Sequence, residues 1–346
     1  MSPTNPGLRR ERWRRLPWVF AASAAIGGAF GIFLALTFGS FRPVMLLGSA
    51  LVGVVQATLT AVSIVACETY LADSPALRRL RAAPFLVIVL VKTFVYAAII
   101  LIIQEAEPGQ RMVGLLFGAN LFNRELAPSV PTLTITFSLV VTLAFVLTLQ
   151  LVQLVGGRNL RNLVLGRYRR PREERRFFLF VDVVGSTALA ERLGALGAHR
   201  FLSGVFAAVA EPIAACRGEI YQYVGDEVVV TWDESEGVVD GRPLRCFFAM
   251  QAALEGRAAL RGALHLGPVI AGEVGVQRRA IVYHGDVMNT ASRLEQATRE
   301  LGHRFIVSAE AVSALGAVPG LAFRDLGVLA LRGRQSELRA WAAQLA

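Results

Sequence analysis

Apolar positions divide the chain into two halves with different periods. Up to residue 155 they come in long, nearly unbroken runs, at about 17–38, 44–67, 84–103 and 131–155. A hydrocarbon core about 30 Å thick is crossed by roughly 20 apolar residues in helix, so each run predicts a membrane-crossing helix. The alternative, a buried helix pair in a soluble protein, does not call for four such runs. Glycines at 27, 28 and 31 in the first run and at 48 and 53 in the second predict close helix packing in lipid.

Beyond residue 176 the runs shorten and alternate. Residues 177–183 (FFLFVDV) predict a buried strand, and Gly185-Ser186-Thr187 opens a helix to about 193. A second helix is predicted over 198–215. Strands at 219–224 and 227–232 flank a tight Gly225-Asp226 turn, a hairpin signature. A helix over 243–259, strands at 261–266 and 269–274 about a Gly267-Pro268 turn, a strand at 280–283 and a helix over 287–298 complete the pattern. Between the halves, residues 156–176 are basic and mostly polar, with a short helical stretch in which Leu160, Leu163 and Val164 could face a partner. This linker either couples the halves or binds anionic headgroups. The expected organisation is thus a four-helix transmembrane anchor or sensor over 1–155, a basic coupling linker over 156–176, and an α+β domain over 177–346.

Composition agrees. The chain is 54% hydrophobic with a mean hydropathy of +0.50, too apolar for an ordinary soluble protein. Its net charge of +10 is unevenly spread: residues 1–176 carry 20 Lys+Arg against 8 Asp+Glu, residues 177–346 carry 16 against 18. A nucleic-acid-binding protein would carry positive charge on its recognition domain, so nucleic acid is excluded as a partner. Arginines cluster before the first run (9, 10, 12, 14, 15), between the second and third (78, 79, 81) and after the fourth. By the positive-inside bias both termini and the second half face the cytoplasm. Three cysteines (Cys67, Cys216, Cys246) show neither metal nor disulfide spacing. Lys92, the sole lysine, lies within the third run and either snorkels to the interface or pairs with Glu68.

The chemistry-bearing residues concentrate in the second half. Asp182 ends a strand just before a helix N-terminus, a place suited to a hard cation and a phosphate. Asp226, at the hairpin tip, can share divalent ions with it if the hairpin lies beside that strand. Asn289 and Arg293 are four apart on one helix, so they share a face. They suit a ribose oxygen and a developing phosphoryl charge, or else belong to an exposed polar face with Glu295 and Arg299. His265 and His284 read as packing or loop residues.

In order, FLFVDVVGST, YVGDEVVV, RGALHLGPVIAGEVG and HGDVMNTASRLE resemble the catalytic domain of class III adenylate/guanylate cyclases, over about residues 175–340. The resemblance implies a ferredoxin-like βαββαβ core and a head-to-tail homodimer whose two active sites are each built from both chains. It implies that Asp182, Asp226 and the backbone at Val183 bind two Mg²⁺ or Mn²⁺ ions. Gly185, Ser186 and Thr187, with Arg261 and Arg332, would hold the triphosphate; Asn289 would orient the ribose and Arg293 stabilise the transition state. The implied reaction is attack of the ribose 3′-hydroxyl on the α-phosphorus of ATP, releasing pyrophosphate and cyclic AMP. The base-reading positions are Gln222 and Val282, where many adenylate cyclases have Lys and Asp or Thr. Gln222 can donate and accept, so GTP and cyclic GMP stay open, as does a silent cyclase-like receptor. A diguanylate cyclase is disfavoured because its GG(D/E)EF hairpin is VGDEV here and because it lacks the Asn289/Arg293 helix. A transporter is disfavoured because the runs show no inverted repeat.

Overall fold

The computed structural model describes residues 6–37, 41–70, 83–117, 129–277, 279–330 and 337–346. Arg332, the arginines of the second loop, and the side chain of Glu68 lie outside the described residues. The chain forms two compact units, Met1–Val155 and Gly156–Ala346.

The first unit is helical: α1 (Pro6–Thr37), α2 (Pro43–Tyr70), α3 (Phe85–Ala106), α4 (Pro108–Phe117) and α5 (Ser129–Val155). The predicted small residues are where backbones meet. A Cβ on Gly27 would lie 2.2 Å from the Gly53 carbonyl, and one on Gly31 2.0 Å from that of Ser49, so α1 and α2 touch through main chain as lipid-immersed helices do. Ile64, Val89, Tyr96 and Val146 form this unit's core, and Gln56 Nε2 donates to Gln104 Oε1 at 2.7 Å between α2 and α3. The third apolar stretch runs further than predicted, Leu86–Leu116, because α4 follows α3 after one left-handed residue, Glu107.

Among the described residues, five helical stretches are long and apolar enough to cross a membrane by length and composition. Four lie in the helical unit. The fifth, α7 (Ser186–Ala215), buries Val205, Val209 and Ile213 against a sheet and is bent at Gly194 (φ 69°), the point where the sequence predicts one helix to end before the next begins.

The second unit continues α6 (Gly157–Val164), β1 (Arg172–Val183), α7, β2 (Glu219–Val224), β3 (Glu227–Asp233), α8 (Glu234–Gly237), α9 (Arg242–Ala253), β4 (Leu260–Val274), β5 (Ala280–His284), α10 (Asp286–Leu301), β6 (Phe305–Ser308), α11 (Ala309–Leu315), β7 (Leu321–Leu329) and β8 (Leu338–Leu345). The eight-stranded sheet runs β2-β3-β1-β4-β6-β8-β7, with β5 also on β4. The sequence β1-α7-β2-β3-α9-β4 with spatial order 2-3-1-4 is the expected ferredoxin-like core.

Strand β1 is buried on both faces because helices cover both. Phe177, Leu179, Val181 and Val183 pack towards α7 and α9 with Trp232, Leu244 and Phe247; Phe178 and Phe180 pack towards α10 with Tyr168, Tyr283 and Val287. Alternation therefore puts Asp182 on the α10 side.

Two expectations need correction. The Gly267-Pro268 turn is absent; β4 is one strand of 15 residues. Its outer neighbour changes there, from β6 (paired through Leu264) to β5 (paired from Ile270), so a proline without an N–H costs no ladder bond on that side. Likewise β1 begins five residues before Phe177, because Arg172–Arg176 pair with Ala271–Gly267 of β4.

Candidate active site

The site grows from the end of β1. Antiparallel pairing sets Asp182 opposite Glu227 of β3 and opposite Arg261 of β4. Gly225 at the β2–β3 tip takes φ 62°, the left-handed geometry that glycine adopts without steric cost. This tight turn returns Asp226 beside Asp182, so that each carboxyl lies in the other's field. After β1, Gly185 (φ 76°) turns the chain into α7, so Ser186 Oγ donates to Asp226 Oδ2. Strand end, hairpin tip and helix start thus converge on one carboxylate pair.

Cations close the group from the other side. Arg261 Nη2 donates to Asp182 Oδ2 while its Nε donates to Glu295 Oε1 at 3.1 Å. Arg299 Nη2 donates to the same Asp182 oxygen at 3.0 Å. Glu295, read from the sequence as part of an exposed polar face, is buried beneath Arg261. The sequence carried one signal for this: Glu295 and Arg299 are four apart and so lie on one helix face.

Burial, with the neighbouring Asp226 carboxyl next, pushes Asp182 above the ordinary carboxylate range against the pull of Arg261 and Arg299. Burial works on Asp226 in the same sense but is outweighed by the Ser186 hydroxyl, Asp182 and Arg299, which leave it below that range. Glu227 is pushed up to about 7, first by burial and then by the charges of Glu295, Asp182 and Asp226.

The donor set fits a hard divalent cation. Two carboxylates converge next to the main chain of Val183, all oxygen ligands, and among the described residues no group of three His, Cys, Asp or Glu forms a cage. Such a set suits Mg²⁺ or Mn²⁺ completed by water and substrate phosphates.

The remaining predicted residues fall elsewhere. Thr187 is exposed at the start of α7. Asn289 is exposed and Arg293 half-buried on α10; six residues separate Arg293 from Arg299, which puts them about 120° apart around the helix. Asn289 and Arg293 thus occupy a face of α10 different from the one bonded to Asp182. Gln222 is exposed on β2 and Val282 half-buried on β5. Their sequence neighbours Tyr221 and Tyr283 are in ring contact at 5.2 Å, so side chains from β2 and β5 meet in the cluster on the α10 face of the sheet. His265 is buried and bonded to Ser308 Oγ at 2.8 Å, a packing role, whereas His284 is exposed.

Residues 171–343 match the family described as Adenylate and Guanylate cyclase catalytic domain. Adenylate cyclase 2 of Rhizobium meliloti (strain 1021) is 32% identical over 307 residues, 84% of this chain and 82% of its own, so the likeness extends into the helical unit. Adenylate cyclase 1 of the same organism is 30% identical over 176 residues, 46% of this chain and 26% of that protein. The crystal structure of the adenylyl cyclase CyaB from P. aeruginosa aligns with 51% of this chain and 97% of its own at 20% identity, with a TM-score of 0.46.

Proposed function

The chain belongs to the adenylate and guanylate cyclase family and is a nucleotide cyclase, and from that premise we propose that it converts ATP to cyclic AMP and pyrophosphate as a membrane-anchored homodimer. The observation that carries the chemistry is the convergence of Asp182, Asp226 and Ser186 where a strand end, a hairpin tip and a helix start meet.

Asp182 and Asp226, with the Val183 carbonyl, would hold two divalent ions, Mg²⁺ or Mn²⁺. Such ions, when bound, supply activation of the 3′-hydroxyl and neutralisation of phosphoryl charge. Gly185, Ser186 and Thr187 open a helix N-terminus towards the polyphosphate, where N–H groups and the helix dipole favour anions. Arg261 and Arg332 add cationic contacts to the same phosphates. Asn289 orients the ribose, and the Arg293 guanidinium stabilises charge gathering on the transferring phosphoryl group. Because Asn289 and Arg293 occupy a different face of α10 from the carboxylate cluster, we assign them to the site of a second copy, arranged head to tail. Gln222 reads the base edge and Val282 packs beside it. ATP is favoured because the relative sharing 84% of this chain is named an adenylate cyclase.

The helical unit is the anchor. Its long apolar helices and the arginine clusters that flank them support an orientation with both termini and the catalytic unit on the cytoplasmic face of the cell membrane.

The test is to incubate the purified full-length protein with Mn²⁺ and either ATP or GTP and to identify products by mass. Cyclic AMP from ATP supports the reading. Cyclic GMP alone overturns the base assignment, and neither product from folded, dimeric protein overturns the activity. For the shared site, mixed Asp182→Ala and Arg293→Ala chains should regain about a quarter of wild-type activity, since half the dimers carry one intact site of two. Confirmed heterodimers without recovery would refute it.

A further inference from the structure

Asp182 is contacted by more cationic groups than one carboxylate needs. Two guanidiniums converge on its Oδ2, Arg261 from the paired strand β4 and Arg299 from the last turn of α10 at 3.0 Å. The same carboxylate is the metal ligand of the proposed reaction, and an oxygen bound to a divalent cation does not keep two guanidinium partners in addition. At least one must give way, and the two differ in how firmly they are held. The Arg261 side chain is 16% exposed, its backbone is in register with Asp182, and its Nε is tied to the buried Glu295. The Arg299 side chain is 58% exposed and, among the described residues, bonds to Asp182 alone. It sits at the helix end, where the side chain can swing without moving the backbone.

We propose that Arg299 is a mobile counter-cation of the active site, which competes with the divalent ion for Asp182 and, once displaced, turns to the polyphosphate that arrives with it. This makes Arg299 a substrate-positioning residue supplied by the same chain as the metal-binding carboxylates. The exchange keeps Asp182 neutralised at every stage, which matters for a group only 3% exposed. It also lets one guanidinium serve two acceptors in turn. The proposal rests on the metal reading of Asp182 and Asp226.

The test uses full-length protein in detergent micelles. Binding of Mn²⁺ alone, without nucleotide, is followed through the electron paramagnetic resonance signal of the free ion, for wild type, Arg299→Gln, Arg299→Lys and Asp182→Asn. Only the Arg299 side of this pair is exposed to solvent, which weakens the pair, so Arg299→Gln should bind Mn²⁺ about threefold more tightly or better. Its KM for Mn²⁺-ATP should rise about threefold or more with kcat changed less, and Arg299→Lys should fall between. Unchanged or weaker Mn²⁺ binding by Arg299→Gln overturns the competition and leaves Arg299 a structural residue. Tighter binding with unchanged KM overturns its turn to the polyphosphate. If Asp182→Asn leaves Mn²⁺ binding intact, the metal assignment itself fails, an outcome separate from either.

Discussion

The two faces of strand β1 are built from the same twelve residues and do opposite work. Towards α7 and α9 every buried partner is apolar: Phe177, Leu179, Val181 and Val183 meet Trp232, Leu244, Phe247 and Met250. Towards α10 the apolar stretch is short, Phe178 and Phe180, and it is bracketed by charge, with Arg176 at one end and Asp182 at the other. Six residues of strand separate those ends, roughly 20 Å. The first face supplies burial free energy with little polar to satisfy, the Trp232 indole N–H going to the Cys216 carbonyl. The second gives up part of that gain to hold two ionic clusters in low-dielectric surroundings, where each group must be matched. Placing Asp182, a proposed metal ligand, on a strand whose other face is an apolar core fixes it without asking it to stabilise the fold.

If that division holds, substitutions on the two faces should separate activity from stability. Asp226→Ala should lower turnover by about 1000-fold, some 4 kcal/mol in the barrier. Its melting temperature should fall only slightly, because Asp226 is a half-buried hairpin-tip carboxylate whose stabilising contacts are the Ser186 hydroxyl and Arg299. Trp232→Ala should do the reverse. Its ring is fully buried, with Nε1 bonded to the Cys216 carbonyl at 2.9 Å, and its loss should cost about 4 kcal/mol of stability, with normal turnover from whatever stays folded. Thermal melting and single-temperature rates on the same preparations decide it. Equal loss of both properties in both variants would abolish the distinction.

The two charged ends of the α10 face invite a sharper contrast. Arg176 is 1% exposed. It donates to Thr231 at 3.1 Å and Asp233 at 2.6 Å, lies over the Tyr283 ring at 4.8 Å, and its Nη2 approaches Glu219 at 3.4 Å without a well-formed hydrogen bond. Burial works against its charge, but Tyr283, Glu219 and Asp233 outweigh it. Glu219 also receives Arg158 from α6 at 2.6 Å, so this end is a structural clasp. Arg176→Met leaves the carboxylates unmatched and should cost about 3 kcal/mol. Its Mn²⁺ affinity should be unchanged, because the proposed metal ligands Asp182 and Asp226 lie at the other end of the strand. A weakened metal site in this variant would show that the two ends are one network.

How much of this was legible depended on whether the cause was local. The hairpin and its Asp226 tip follow from Gly225-Asp226 between two β-rich runs, and the bend at Gly194 from the break in pattern after residue 193. The start of β1 did not follow, because Arg-Glu-Glu-Arg-Arg reads as solvated linker. Those residues are strand because β4 continues past Gly267 to pair with them and because Arg176 finds Asp233 and Glu219 in three dimensions. The roles of Glu295 and Arg299 were hidden for the same reason. Helical periodicity places them on one face but cannot say that Asp182 and Arg261, more than thirty residues away in sequence, lie against it.

The smallest effect probes the electrostatics of the reactive end itself. Glu227 pairs with Asp182 across the sheet, so the two share a face. Burial and the neighbouring carboxylates push Glu227 up to about 7 from 4.5. An acid whose folded value lies above its unfolded value binds its proton more tightly when folded, so stability falls as pH rises from about 4.5 to about 7 and is flat beyond. Partial solvent access reduces the full linkage to about 1 kcal/mol. Glu227→Gln carries no such charge. It should melt with the wild type at pH 4.5 and above it at pH 8, the gap opening between those limits. A divalent ion at Asp182 and Asp226 offsets the surrounding negative charge, so adding Mn²⁺ should narrow the gap at pH 8. Melting curves across that range with and without Mn²⁺ read both effects, and a gap independent of pH would mean that Glu227 is not held protonated by its neighbours.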